Sequence, residues 1–221
     1  MSADFDVKPG EKGPARSAPS TTKRGLMKKI MLASIFAVIL GASQGKAASG
    51  QFSLYGGYLN QGGNVSLTTV SNGVTNTLHF QGSALYGARV EFDFHRIIGL
   101  EENVGFSPRL FDSAFRVPAP SADTRGFLYS TNLVLNIPLG RFVPYVTGGV
   151  GFLKPWGTGF KPFDARFAGN YGGGLKLDRL IGPVGLRFDV RGWSVKNVFS
   201  RTLNMVEASG GVTVSWGGHT R

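Results

Sequence analysis

The chain contains no cysteine, which removes disulfide frameworks, thiolate metal sites and lipid attachment through sulfur. Histidine is nearly as scarce. Only His79, His95 and His219 occur, and none is set beside a strand serine in a way that suits nucleophilic catalysis. No His/Asp/Glu cluster has metal-ligand spacing, and no GxxxxGK[ST] follows a strand and opens a helix. No cofactor and no metal are therefore expected. Long apolar runs are missing too: the stretch Ile30 to Leu40 is too short to cross about 30 Å of hydrocarbon as a helix.

Acidic side chains are few, 13 against 24 Lys and Arg, for a formal charge of +11. Such a surplus resembles that of a nucleic-acid binder, but its placement argues otherwise. Residues 1–47 hold eight Lys/Arg and three Asp/Glu, leaving sixteen against ten in residues 48–221. The latter part shows neither a basic run nor a nucleic-acid motif, so no nucleic-acid partner is expected.

What is present begins with "MKKIMLASIFAVILGASQGKA", residues 27–47. Lys28 and Lys29, then an apolar stretch, then Gly45-Lys46-Ala47 have the layout of a secretory signal peptide with a small-x-small cleavage site. Met27 is the expected start of synthesis. Residues 1–26, rich in Pro, Ser and Lys, are read as a disordered tail or an upstream extension of the reading frame, without a fold. The expected organisation is therefore extension 1–26, leader 27–47 and one folded domain 48–221.

From Ala48 onward, apolar and polar residues alternate one by one, the period of a β-strand. "YGARVEFDFHR", residues 86–96, sets Arg89, Glu91 and Asp93 against Ala88, Val90, Phe92 and Phe94. The pattern recurs over 52–58, 127–137, 142–152, 167–178, 184–191 and 206–216, with a weaker strand at 99–108. That makes eight strands, and no helical period intrudes. In the weaker strand Glu101 and Glu102 are adjacent, so one must face the apolar side; a β-bulge or a place at the membrane edge would reconcile them. Three connections are short, "HRIIG", "PLGR" and "DRLIGP", each with one arginine. Four are long, near 60–83, 109–125, 154–165 and 196–203. The first contains Asn72-Gly73, a strong hairpin signal, and predicts a projecting ribbon.

A soluble barrel, lipocalin-like, would turn its apolar face inward; a membrane barrel turns it out to lipid and keeps a polar lumen. Three features favour the membrane barrel. Aromatics gather at the ends of the apolar faces, as interfacial girdles require. The polar faces carry both signs: Arg89, Lys176, Arg187 and Arg191 against Glu91, Asp93, Glu101, Asp178, Asp189 and Glu207, a set able to neutralise itself across a narrow lumen. Glycine, 33 residues in all, is used about twice as often as usual, and on the polar faces it leaves room for larger neighbours. The alternation of short turns and long loops suits a barrel with one periplasmic and one external rim.

Over residues 50–216 the chain resembles the small eight-stranded outer-membrane barrels of the OmpA and OmpX type. The resemblance rests on "YGARVEFDF", "PYVTGGVGF", "NYGGGLKL", "GPVGLRFDVRGW" and the closing strand. "SGGVTVSW" fits the family's C-terminal assembly signal, with Ser209, Gly211, Val214 and Trp216 at its places, although Trp216 is followed by "GGHTR" where the family usually ends on an aromatic. The resemblance implies an all-β, antiparallel transmembrane barrel in the outer membrane of a diderm bacterium, inserted by the assembly machinery, without the peptidoglycan-binding domain of full-length OmpA. It implies a non-enzymatic role in envelope integrity. The alternatives are a lipid-modifying barrel enzyme and a soluble ligand-binding barrel. "HFQGS", 79–83, departs from the His-x-Ser pattern of the lipid A deacylases. Glu91, Asp93, Asp189 and Glu207 could form an acid–base pair, but the arginines interleaved with them favour salt bridges. Eight strands leave an interior just wide enough for side chains, so a plug is expected rather than a pore. "KPWGTGFKPF", 154–163, places Trp156, Phe160 and Phe163 beside Lys154 and Lys161, a candidate surface for lipopolysaccharide phosphates or glycans.

Overall fold

The computed structural model describes residues 49–61, 66–71, 74–79, 82–110, 124–156, 163–198 and 201–217. The expected extension and leader, residues 1–47, lie outside them, as do Asn72, Gly73, Phe160, Lys161 and His219. Eight strands close into one antiparallel barrel: β1 (Ser49–Gln61), β4 (Ser83–Asp93), β5 (Ile98–Ser107), β6 (Arg125–Asn136), β7 (Phe142–Trp156), β8 (Arg166–Ile181), β9 (Val184–Val198) and β10 (Arg201–Trp216). Each pairs with its neighbour in sequence, and β1 closes the ring by pairing with both β4 and β10. In the first long connection β2 (Ser66–Ser71) pairs with β3 (Val74–His79) as a separate two-stranded ribbon, with Ser71 opposite Val74.

Alternation fixes which way each side chain points, and the faces are inverted relative to a soluble protein. Large apolar groups stand exposed on the wall, among them Leu54, Tyr86, Val146, Phe188 and Val190, while Arg89, Arg187 and Arg191 are exposed by 1% or less. Among the described residues no helix is long and apolar enough to cross a membrane; the crossing elements are strands of 10 to 16 residues, matching the roughly 9–11 that a tilted strand needs to span the hydrocarbon. The short-turn rim is tight. Gly182, with φ +59°, turns the chain between Ile181 and Val184, and Gly140, with φ +70°, does so between Leu139 and Phe142.

Two expectations need correcting. The fourth connection is not long: β9 runs to Val198 and β10 starts at Arg201, so the strands extend beyond the segment where alternation is clean. Nor does a bulge separate Glu101 from Glu102. The β4–β5 register runs unbroken through Val90↔Glu102 and Glu91↔Glu101, and Glu102 lies mid-strand on the outer face rather than at an edge. Its neighbours across the strand gap explain how it is tolerated: the Tyr129 hydroxyl donates to it at 2.7 Å and the Thr131 hydroxyl at 2.9 Å.

Inward glycines make room for two tyrosines. A Cβ on Gly87 would run into the Tyr55 ring, and one on Gly174 would lie 2.6 Å from the Tyr145 hydroxyl and closer still to the Phe188 carbonyl. Outward Gly148 has nothing nearer than 3.8 Å. Gly174→Leu is expected to destabilise the barrel by about 1–3 kcal/mol through overpacking, whereas Gly148→Leu leaves it unchanged. Urea unfolding of the heat-modifiable, folded species checks both; equal midpoints would contradict the placement of Gly174.

Candidate functional site

The inner face of each strand changes character along its length. On β9, Arg187, Asp189 and Arg191 share a face with Trp193 and Val195, and on β10 Glu207 shares one with Met205 and Leu203. The half of the lumen near the short turns is consequently charged, and the half near the long loops is apolar.

Within the charged half, Arg187 is the hub. Its guanidinium meets Glu91 at 3.1 Å, Glu101 at 2.5 Å and Asp189 at 3.2 Å, and its Nε donates to the Tyr145 hydroxyl at 3.0 Å. Arg89 reaches Asp189 at 2.7 Å and Glu207 at 2.5 Å, while its guanidinium carbon stands 3.8 Å from the centre of the Tyr55 ring. Arg191 holds Glu101 and Asp189, each at 2.8 Å. Lys176 donates to Glu91 at 2.6 Å and to Asn136 at 2.8 Å. The four cations thus face four carboxylates, and the charges cancel. The contacts tie β4 and β5 to β8, β9 and β10 across the lumen, joining strands that are not neighbours in the wall.

Every carboxylate oxygen in this set is engaged. Glu91 receives Lys176 and Asn136 on one oxygen and Arg187 on the other. Glu101 receives Arg191 and Asn132 on one and Arg187 on the other. Asp189 accepts from Arg191 and the Tyr145 hydroxyl on one side and from Arg89 on the other. Glu207 accepts from Arg89 and Ser209 on one oxygen and from the Trp193 indole, at 2.9 Å, on the second.

Two of the ten charged residues expected in the lumen stand apart. Asp93 and Asp178 lie at the mouth on the short-turn side, where they accept from Ser49 and Gln51 respectively and form no ion pair among the described residues. Both line a cavity of about 430 Å³ that also includes Gln51, Arg141 and Lys176. It ends against the charged set. Above that set the lumen is filled by Leu59, Leu85, Leu128, Leu153, Trp193, Val195, Leu203 and Met205, all buried. Sequence reading missed this apolar half, as well as the supporting Tyr55, Tyr145, Asn103 and Asn132. The signal was available: the phase that carries Arg191 inward also carries Trp193 and Val195 inward.

The candidate loop residues separate. Lys154 is exposed, and Trp156 is partly exposed, packed edge-on against Phe106 with the Arg125 guanidinium 5.5 Å from its ring. Phe163 instead turns inward and joins the apolar filling of the lumen, which removes its ring from the outer surface. In the closing strand Ser209 points inward, and Val214 and Trp216 point out to the wall. Gly211 sits where a Cβ would run into the Leu54 carbonyl. Of the histidines, His95 is exposed in a turn and His79 ends β3. Among the described residues no group of three or more His, Cys, Asp or Glu could hold a metal.

Removing the hub takes one cation from three carboxylates at once. Arg187→Ala is expected to cost about 3–5 kcal/mol, the range for breaking a buried ion pair, and to lower the urea midpoint. Arg141→Ala, on a short turn, should leave it in place. A midpoint unmoved by Arg187→Ala would remove Arg187 from the centre of the network.

The family of outer membrane protein beta-barrel domains matches residues 34–197. No curated protein matches the chain. Among solved structures it is similar to the N-terminal β-barrel domain of Pseudomonas aeruginosa OprF, at 15% identity and a TM-score of 0.51, covering 78% of this chain and 100% of that one. It is also similar to OprG from Pseudomonas aeruginosa, at 13% identity and a TM-score of 0.52, covering 79% and 99%. The outer membrane enzyme PagL is more distant, at 13% identity and a TM-score of 0.44, covering 74% and 98%. At these identities the likeness is one of fold alone. With most of its length matched by the family and its strands closed into an inverted eight-stranded barrel, the chain belongs to the outer membrane protein beta-barrel domain family.

Proposed function

We propose that the protein is a non-enzymatic barrel that supports envelope integrity and meets lipopolysaccharide with its external rim. The observation that carries this reading is the lumen: no carboxylate of the charged set keeps a free oxygen to act as a base, and an apolar filling closes the space above. A general base must lie within hydrogen-bond reach of its substrate, and a pore needs a wet path; a buried, ion-paired set beneath an apolar filling favours neither. Function then falls to the outside surface. At the long-loop end Arg109, Lys154, Lys196 and Arg201 are exposed, with Asp164 as the exposed acid among the described residues there. Cations clustered at that height suit the phosphates of lipid A through charge-assisted hydrogen bonds.

Substituting Lys154 and Arg201 together by Ala should weaken binding of the reconstituted barrel to lipopolysaccharide about threefold to tenfold, since each exposed ion pair contributes up to about 1 kcal/mol. Titration against phosphorylated and dephosphorylated lipid A checks this, and equal affinity for the two would overturn the phosphate contact. Lipid A from a deletion strain should keep its acyl pattern by mass spectrometry. A changed pattern would establish the lipid-modifying alternative instead.

The same proposal includes export through residues 27–47 as a cleaved leader, insertion by the assembly machinery through the signal ending at Trp216, and a mature chain beginning at Ala48. N-terminal sequencing of protein purified from outer membranes should return Ala-Ser-Gly-Gln. Recovery of any sequence from residues 1–26 would refute both the cleavage and the start at Met27.

A further inference from the structure

Each of the three short turns carries one arginine, and the charged network of the lumen uses none of them. Arg96 lies in "HRIIG", Arg141 in "PLGR" and Arg179 in "DRLIGP", and all three are exposed. The fold brings them to one place, since each lines the cavity of about 430 Å³ at the short-turn mouth. Pockets that hold small ligands run from about 300 to 1,000 Å³. Two of the turns are tied together there: the Asp178 N–H donates to the Arg141 carbonyl at 2.9 Å. Arg179 takes φ +52°, a left-handed conformation that glycine adopts more readily, so a turn alone does not account for an arginine at that position.

The same cavity also holds acceptors. Asp93 accepts from the Ser49 hydroxyl and the Asn136 amide, both at 3.4 Å, and Asp178 accepts from the Gln51 amide at 2.9 Å. An ionised carboxylate has about four lone-pair positions, so both keep acceptor capacity, and neither forms an ion pair among the described residues. Gln51 is 6% exposed. The carboxylate of Asp178 draws the amide NH2 toward itself, which leaves the Gln51 carbonyl oxygen with no donor among the described residues. A buried acceptor without a donor is costly, and Gln51 lines this cavity.

The charges around the mouth define what would complete it. Lys176 lines the cavity as well, but Glu91 matches its charge at 2.6 Å. Three guanidinium groups against two carboxylates leave one positive charge. A phosphate monoester carries about −1.5 to −2 at neutral pH and three strong acceptor oxygens, one for each guanidinium. A primary ammonium offers three donors, one each for Asp93, Asp178 and the Gln51 oxygen. Together the two groups bring a net charge of about −1, the opposite of the lining.

We propose that the short-turn mouth is a binding site for a small phosphate monoester bearing a primary ammonium, its phosphate held by Arg96, Arg141 and Arg179 and its ammonium by Asp93, Asp178 and Gln51. Ethanolamine phospholipid headgroups carry the same two groups. Their phosphate is a diester with a lower charge, so the balance selects the soluble monoester over the headgroup.

For the test, the full chain is folded in a maltoside detergent, which contains no phosphate. It is titrated calorimetrically with O-phosphoethanolamine, inorganic phosphate and ethanolamine at equal ionic strength. O-phosphoethanolamine should bind at least about tenfold more tightly than either fragment, since each charge-assisted contact adds to the other. Arg141→Ala should weaken it about tenfold. Asp178→Asn, which can still accept from Gln51, should abolish its advantage over inorganic phosphate. Heat-modifiable mobility shows whether each variant is folded; where one is not, the three compounds on the unaltered chain decide. Inorganic phosphate binding as tightly as O-phosphoethanolamine would overturn the ammonium half of the site, and ethanolamine doing so would overturn the arginine half. Binding of none of the three would overturn the site. In a second arm the barrel is placed in phosphatidylglycerol bilayers with and without phosphatidylethanolamine, and the affinity for O-phosphoethanolamine should be the same in both. Binding about tenfold weaker beside phosphatidylethanolamine would assign the mouth to the headgroup and overturn the choice of a soluble monoester.

Discussion

Peptide groups in hydrocarbon have no water to bond with, and the whole molecule is organised by that constraint. A sheet with open edges would leave rows of N–H and C=O groups unsatisfied, at several kcal/mol each. Closing β1 onto β10, from Gly50 opposite Trp216 to Gln61 opposite Met205, removes both edges. Once the ring is closed, strict alternation leaves every side chain only two choices, lipid or lumen. Leu54, Val146 and Phe188 take the first because transfer to lipid costs them nothing. Arginines take the second because lipid at mid-depth would cost about 2–4 kcal/mol each.

Confinement in the lumen then creates its own problem. Eight strands leave no room for a hydrated channel around eight charged groups, so the charges must satisfy one another. Arg187 and Arg191 lie on the same face of β9 and share Glu101 and Asp189, and Arg89 reaches Asp189 from the far wall. Buried ion pairs often do not outperform an apolar core in stability; their stronger effect here is on register. Sliding a strand by one residue exchanges its faces. A slip of β9 would put Arg187 into lipid and Phe188 into a ring of carboxylates, so the network discriminates sharply against wrong pairings.

The fold was legible in the sequence because the period of two is a local signal that lipid reinforces. "YGARVEFDF" declares both faces of β4 by itself, and "GLRFDVRG" does so for β9. Three things were not legible, each for a physical reason. The apolar upper lumen was hidden because Leu128, Leu153 and Trp193 look like wall residues once alternation is read segment by segment. Only the phase carried through from Arg191 reveals that Trp193 points inward. The length of β9 and β10 was obscured because Lys196, Asn197 and Arg201 interrupt the apolar alternation at the rim, where exposed polar groups carry no penalty. Glu102 was recognised as anomalous, but a bulge was the local remedy that suggested itself. The actual remedy is non-local: Tyr129 and Thr131 come from β6, and no reading of β5 alone could have supplied them.

Glu102 sets the outer wall apart from the interior. Inside, each polar group of the charged set has found a partner, and an apolar filling lies above it. On the wall, the simplest solution for position 102 would be one more valine, as at Val90 opposite and at Val104 two residues on. The chain instead carries a carboxyl there, and the Tyr129 and Thr131 hydroxyls both donate to it. Three residues on two strands maintain a polar point in an apolar field, and none of them is needed to close the barrel. What the chain holds at this point of the wall is a carboxyl fixed in place from the neighbouring strand, at 2.7 Å by the Tyr129 hydroxyl and 2.9 Å by the Thr131 hydroxyl.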